Sequence, residues 1–169
     1  MRFSAANGHL AVVKFLTERG VEIHTNNDEA LQWSAASGHL AVVQYLLKKG
    51  AHRSAGNEGA LRLAAINGHI KVVQYLFKHG ADLHHNKNIL MTSASNGHLE
   101  VVRFLLEHNV NLHLDDEEAL RWSAENGHLE VVKILFQNGA DLHANNDAAL
   151  QSSIKQGHLS VVQFLVEKG

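Results

Sequence analysis

The chain has no cysteine and no proline among its 169 residues. Without cysteine there is no disulfide framework and no thiolate zinc site, an absence compatible with a reducing compartment. Without proline, nothing interrupts helices joined by glycine and asparagine turns. An excess of charge of one sign is also missing. Fifteen Lys and Arg stand against 17 Asp and Glu, which excludes the broad basic field of a nonspecific nucleic-acid binder. No apolar run approaches the length that spans a bilayer. The opening Met1-Arg2-Phe3-Ser4-Ala5-Ala6-Asn7 is too polar for a secretory leader. These absences predict a soluble intracellular protein, placed in the cytoplasm, with neither nucleic acid nor membrane as partner.

What is present is a period. Gly-His-Leu stands at Gly8-His9-Leu10, Gly38-His39-Leu40, Gly97-His98-Leu99, Gly127-His128-Leu129 and Gly157-His158-Leu159, with Gly68-His69-Ile70 as its variant. The glycine-to-glycine steps are 30, 30, 29, 30 and 30 residues. A fixed step in this range marks a stacked repeat in which each repeat touches its neighbours. The period covers residues 1–169 as a single domain. Its first repeat, about 1–20, is cut short, and repeats of about 21–50, 51–80, 81–109, 110–139 and 140–169 follow.

The repeat at 26–50 shows the local physics. Asn26, Asn27 and Asp28 offer short side chains to the backbone N–H groups of a helix start, and Asp28 and Glu29 place negative charge in its first turn. This first helix runs to about Ser37, where Gly38 permits the left-handed backbone that stops it. A second helix starts near Leu40. It is apolar at Leu40, Val42, Val43, Tyr45, Leu46 and Leu47, an arc too wide for one packing partner. Ala41, Gln44 and Lys48 form a narrow stripe facing water. Gly20, Gly50, Gly80, Gly139 and Gly169 end the second helices, with Asn109 in the same slot. The few residues before each next first helix read as a tight turn or stubby hairpin.

The run Leu61-Arg62-Leu63-Ala64-Ala65-Ile66-Asn67-Gly68-His69, with Val72-Val73 and Gly80-Ala81-Asp82 after it, resembles the ankyrin repeat. The resemblance covers the whole chain in register. It implies an all-α solenoid of stacked antiparallel helix pairs, and binding of a protein partner through hairpin tips and the concave face of the first helices. The chain departs from the family at Glu29-Ala30-Leu31-Gln32 and Glu118-Ala119-Leu120-Arg121, where the family has Thr-Pro-Leu-His. Its period is also shorter than the family's 33 or so, so the hairpin fingers are expected to be clipped. Repeats in the style of Ala119 to Lys133 are similar to viral ankyrin arrays of amoebae, which would place the protein in a host cytoplasm. Met1 falls where other repeats have a core leucine, and no polar capping repeat is visible. Two readings of this are a fragment of a longer array and end-to-end self-association.

The 14 histidines raise a metal question. Six belong to the Gly-His turn, where the ring sits at a helix N-terminus that disfavours positive charge, and a neutral hydrogen-bonding role is expected. His24, His84, His113 and His143 form a second column. Successive members lie about 8–10 Å apart if the helices pack normally, too far for nitrogens that must each come within about 2.1 Å of one zinc. His79, His84 and His85 remain as a local cluster suited to adventitious surface binding. Asp115-Asp116-Glu117-Glu118 reads as a charged helix start. Ser34, Ala64 and Ser123 share a small-residue packing column, so no serine reads as a nucleophile. No catalytic group, metal set or cofactor is expected, and the chain is not read as an enzyme.

The candidate partner-binding residues are of two kinds. Trp33 and Trp122 are residue types that dominate interfaces, with Arg121 and Glu125 beside Trp122. The irregular stretch from Ala51 to Met91 supplies the rest. Arg53, Ile66, Lys87 and Met91 replace the usual entries there, and an exposed Ile66 beside Arg62 and near Met91 is expected as a small patch with basic margins. The function these residues imply is a passive recognition module or adaptor. The alternative is a structural spacer or self-assembling array without a specific ligand.

Overall fold

The computed structural model describes residues 1–51, 55–115 and 117–169, the side chains of residues 27 and 55–57 apart. All the regular structure in the described residues is helical. The elements are α1 (Arg2–Ala6), α2 (Leu10–Glu18), α3 (Thr25–Ala36), α4 (Leu40–Lys48), α5 (Ala55–Ile66), α6 (Ile70–Lys78), α7 (Ile89–Ser95), α8 (Leu99–Glu107), α9 (Glu118–Glu125), α10 (Leu129–Gln137), α11 (Ala144–Gln156) and α12 (Leu159–Lys168). They fall into two compact halves, Met1–Asn86 with α1 to α6 and Lys87–Gly169 with α7 to α12.

The plan is the same within each half. Each odd-numbered helix packs on the even-numbered helix after it. The first helices form one layer, α1 beside α3 beside α5, or α7 beside α9 beside α11. The second helices form the other, α2–α4–α6 or α8–α10–α12. This explains the wide apolar arc. Val42, Val72 and, in the other half, Val131 are at most 2 % exposed, whereas Val12, in the same column but on the first second helix of its half, is 44 % exposed. Leu31, Leu61, Leu90 and Leu120 fill the space between the layers. Ser34, Ser93, Ser123 and Ser153 are fully buried, and each satisfies its hydroxyl on a carbonyl of its own helix at 2.7–2.9 Å. They are packing residues, which is why alanine can replace them at Ala64.

Every first helix closes with the same hydrogen-bond pattern. His39 N–H donates to the Ser34 carbonyl at 2.8 Å and Gly38 N–H to the Ala35 carbonyl at 3.1 Å, with Gly38 left-handed at φ 75°. This is the Schellman arrangement, and it leaves the carbonyl of the last helical residue without a backbone donor. The histidine of the following repeat takes that carbonyl. His39 Nε2 donates to the Ala6 carbonyl at 3.0 Å, and His69 to Ala36 at 3.0 Å. In the other half, His128 donates to Ser95 and His158 to Glu125, each at 2.9 Å. Since a carbonyl only accepts, Nε2 carries the proton. The acceptors Ala6, Ala36, Ser95 and Glu125 are the final residues of α1, α3, α7 and α9. Each ring therefore sits between the positive start of its own second helix and the negative end of its neighbour's first helix.

The ring reaches that carbonyl by lying over the preceding repeat's glycine. A Cβ on Gly8, Gly38, Gly97 or Gly127 would stand 2.6 Å from Nδ1 of His39, His69, His128 or His158. Glycine is required there twice over, for its backbone angle and for its missing side chain. Gly20, Gly50 and Gly139 share the positive φ but have nothing within 4 Å.

The connections between repeats differ from the sequence expectation in one respect. At the starts of α3 and α11, whose N-cap residues His24 and His143 make no side-chain cap bond, lie the Asn-Asn-Asp segments. These residues adopt left-handed backbone themselves, at Asn26 and Asp28 and at Asn145, Asn146 and Asp147. Asn and Asp tolerate that conformation better than other side-chain-bearing residues. The acid then bonds the histidine four residues earlier. His24 Nδ1 meets Asp28 at 2.9 Å, His143 Nδ1 meets Asp147 at 2.6 Å, and His113 pairs with Glu117. Asp28 and Glu117 are buried in these turns, and Glu117 Oε2 has no hydrogen-bond partner among the described residues.

Two predictions follow from these contacts. Gly20→Ala loses only the backbone term, about 1 kcal/mol. Gly38→Ala also displaces the His69 ring from the Ala36 carbonyl, and it is expected to cost at least about 1 kcal/mol more. Thermal melts should therefore separate the two variants by roughly 2–4 °C or more. The hydrogen bond to Asp147, and then its charge, raise the His143 pKa above the ordinary value. The resulting stabilisation is full below about pH 6.5 and fades as pH climbs through the raised folded value. An NMR titration should find the His143 midpoint above that of an Asp147→Asn variant. The stability gap between the two proteins should be larger at pH 5.5 than at pH 8.5.

Candidate partner-binding surface

In the N-terminal half, α1 and α3 present a linked group of side chains. Arg2 donates to Glu29 at 2.7 Å and lies 4.5 Å from the centre of the Phe3 ring. Trp33 Nε1 donates to the same Glu29 at 3.3 Å. These donors, Arg2 first, hold the Glu29 carboxyl below its ordinary range. The charged pair thus fixes two aromatics that remain open to solvent, Phe3 at 72 % and Trp33 at 47 %. Beside them is a hollow of about 320 Å³ bordered by Val21, Thr25 and Asn26. Sequence reasoning singled out Trp33 and passed over Phe3, although the repeat register puts both in one column.

In the C-terminal half, α9 carries the matching group. The Arg121 guanidinium lies 4.5 Å from the centre of the Trp122 ring. It donates to Glu118 at 3.2 Å and approaches Glu125 at 3.9 Å. Arg121, Trp122 and Glu125 are therefore one group on one helix, with Trp122 half-buried. Lys87 is exposed and Met91 half-buried, and both border a shallow depression with Asp115 and Glu118.

The irregular central stretch is distributed differently from the expectation. Arg62 and Ile66 lie on α5 in the N-terminal half, and Lys87 and Met91 belong to the C-terminal half. Ile66 is half-buried rather than exposed. Arg53 lies outside the described residues. Arg62 is exposed and borders a hollow of about 390 Å³ with Glu58, Gly59, His85 and Asn86.

A hollow of about 480 Å³ lies on the second-helix layer between α4 and α6, among Gln44, Tyr45, Lys48, Tyr75 and His79. Tyr45 hydroxyl bonds Thr17 at 2.5 Å, and Tyr75 stacks on His79 with ring centres 4.0 Å apart. The sequence signal here was the i, i+3, i+7 polar stripe, which marked Gln44 and Lys48 as solvated without showing that two tyrosines flank them.

Among the described residues, no three His, Asp or Glu side chains converge as a metal-binding group. His79 bonds the Tyr75 carbonyl at 2.8 Å, and His85 pairs with Glu58 at 3.1 Å, so the local histidine cluster is divided between separate partners. No described helix is long and apolar enough to cross a membrane.

Comparison with known proteins agrees with this architecture. No curated protein matches the sequence. Among solved structures, the chain is similar to the human ASB11 ankyrin repeat domain, with a TM-score of 0.87 and 25 % identity over 99 % of this chain and 82 % of that one. The family model for ankyrin repeats (3 copies) matches residues 1–87 and 82–146. With that match over most of its length, and with stacked helix pairs joined by glycine-terminated turns, the chain belongs to the ankyrin-repeat family.

Proposed function

We propose that the chain is a recognition module that binds a protein partner on the exposed face of its first helices and the turns before them, without catalysis of its own. Ankyrin repeats are in general protein–protein interaction modules. The observation that carries the proposal for this chain is the fate of its large side chains. Val42 and Val72 on the second helices are shielded, whereas Phe3, Trp33 and Trp122 stay at least partly open on the first-helix layer, each within reach of an arginine or glutamate. Aromatics fixed by neighbours lose little freedom when a partner docks, and they are the residue types that carry most interface energy. We place the module inside the cell, in the cytoplasm, in keeping with a chain free of cysteine.

The second reading is a self-assembling array. Val12 and Phe15 on α2, and Leu159 and Val166 on α12, are exposed at 44–66 %, although their column mates on α4 and α10 are shielded to a greater degree. Sedimentation velocity at rising concentration separates the two readings. Concentration-dependent growth that Phe15→Glu abolishes supports assembly.

For the recognition reading, Trp33→Ala and Trp122→Ala are expected to weaken capture of a partner from source-cell lysate by about 2 kcal/mol where the ring is central to the interface. Both should leave the far-ultraviolet circular dichroism unchanged. Equal capture by the wild type and both variants would defeat the assignment of this face.

A further inference from the structure

Three arginines stand in register on first helices, namely Arg2, Arg62 and Arg121, and two of them have a carboxylate partner. Arg2 reaches Glu29 at 2.7 Å, and Arg121 reaches Glu118 at 3.2 Å and Glu125 at 3.9 Å. Arg62 has no hydrogen-bond or ion-pair partner among the described residues. The sequence shows why. Position 59, which matches Glu29 and Glu118, is glycine. Position 66, which matches Glu125, is isoleucine. The nearest acid along α5, Glu58, is turned to His85 Nε2 at 3.1 Å. Both positions that neutralise Arg121 along its own helix are uncharged beside Arg62 on α5.

The same replacements open space. With no side chain at Gly59, a hollow of about 390 Å³ remains among Glu58, Gly59, Arg62, His85 and Asn86. It holds an exposed guanidinium whose planar array of donors matches a carboxylate in two parallel hydrogen bonds. We propose that this hollow receives an Asp or Glu side chain of the protein partner, with Arg62 as its counter-ion. The proposal rests on the recognition reading and gives it a chemistry: an acidic segment supplies from outside the charge that Glu29 and Glu118 supply from within.

The test is an NMR titration of the full chain with an acetylated, amidated hexaglutamate peptide, followed at the Arg62 Nε–H and Gly59 amide signals, with the hexaglutamine peptide as control. The glutamate peptide is expected to shift both signals saturably, and more weakly at higher salt. Arg62→Gln is expected to lower its affinity about fivefold. Gly59→Glu, which restores the acid that Arg121 possesses, should lower it to a similar degree, and Gly59→Gln should leave it within about twofold. Both substitutions fit the fold. Gly59 has no positive φ, and a Cβ there meets only the flexible end of Gln32 at 3.1 Å. An equal response to the glutamine peptide, or affinity unchanged by Arg62→Gln and Gly59→Glu, overturns the proposal. So does a silent Arg62 signal while the Trp33 or Trp122 indoles shift, and that result leaves the first-helix reading standing. A response nowhere overturns the carboxylate site, and lysate capture then decides the recognition reading separately.

Discussion

A helix cannot satisfy its own last carbonyls, and that constraint organises each half of this protein. The Schellman turn closes two of them with the N–H groups of the glycine and the histidine, and a third is left pointing outward. Only the next repeat can reach it, and it does so with a histidine ring laid over the glycine that made the turn possible. One Gly-His pair therefore has two duties in two places. The glycine stops its own helix and makes room for a foreign ring. The histidine begins its own second helix and terminates a foreign first helix.

Much of the fold was readable from the residues because these demands are local and periodic. The position of every Gly-His turn, the start of each second helix and the glycine or Asn109 that ends it follow from spacing and from backbone preference. The apolar arc of the second helices likewise announced neighbours on more than one side, as the contrast between Val12 and Val42 shows. The histidine was harder. Its position at a helix start was visible, but its acceptor lies 33 residues earlier in the chain, and no local pattern names that carbonyl. The left-handed backbone of the Asn-Asn-Asp segments was hidden for a related reason. The same short side chains serve as helix caps and as left-handed turn residues, and only the coordinates distinguish the roles.

The candidate surface was legible in its residue types and less so in its pairing. Trp33 and Trp122 stood out as large aromatics, and the register also placed Phe3 with them. That Arg2 and Trp33 share one carboxylate, while Arg62 has none among the described residues, depends on which side chains meet along and between helices. Irregularity proved informative once read as loss of charge. Gly59 and Ile66 matter for the acids they replace as much as for their own properties.

The ring-over-glycine contact also bears on how such a chain changes over generations. Because donor and acceptor halves are carried by every repeat, copying a whole repeat within the gene copies both, and the new module arrives with a ring for the module before it and a seat for the one after. A point change at the glycine behaves in the opposite manner. Its damage falls on a ring one repeat downstream, so descent should preserve these two residues together across a gap of 31 positions, as between Gly8 and His39.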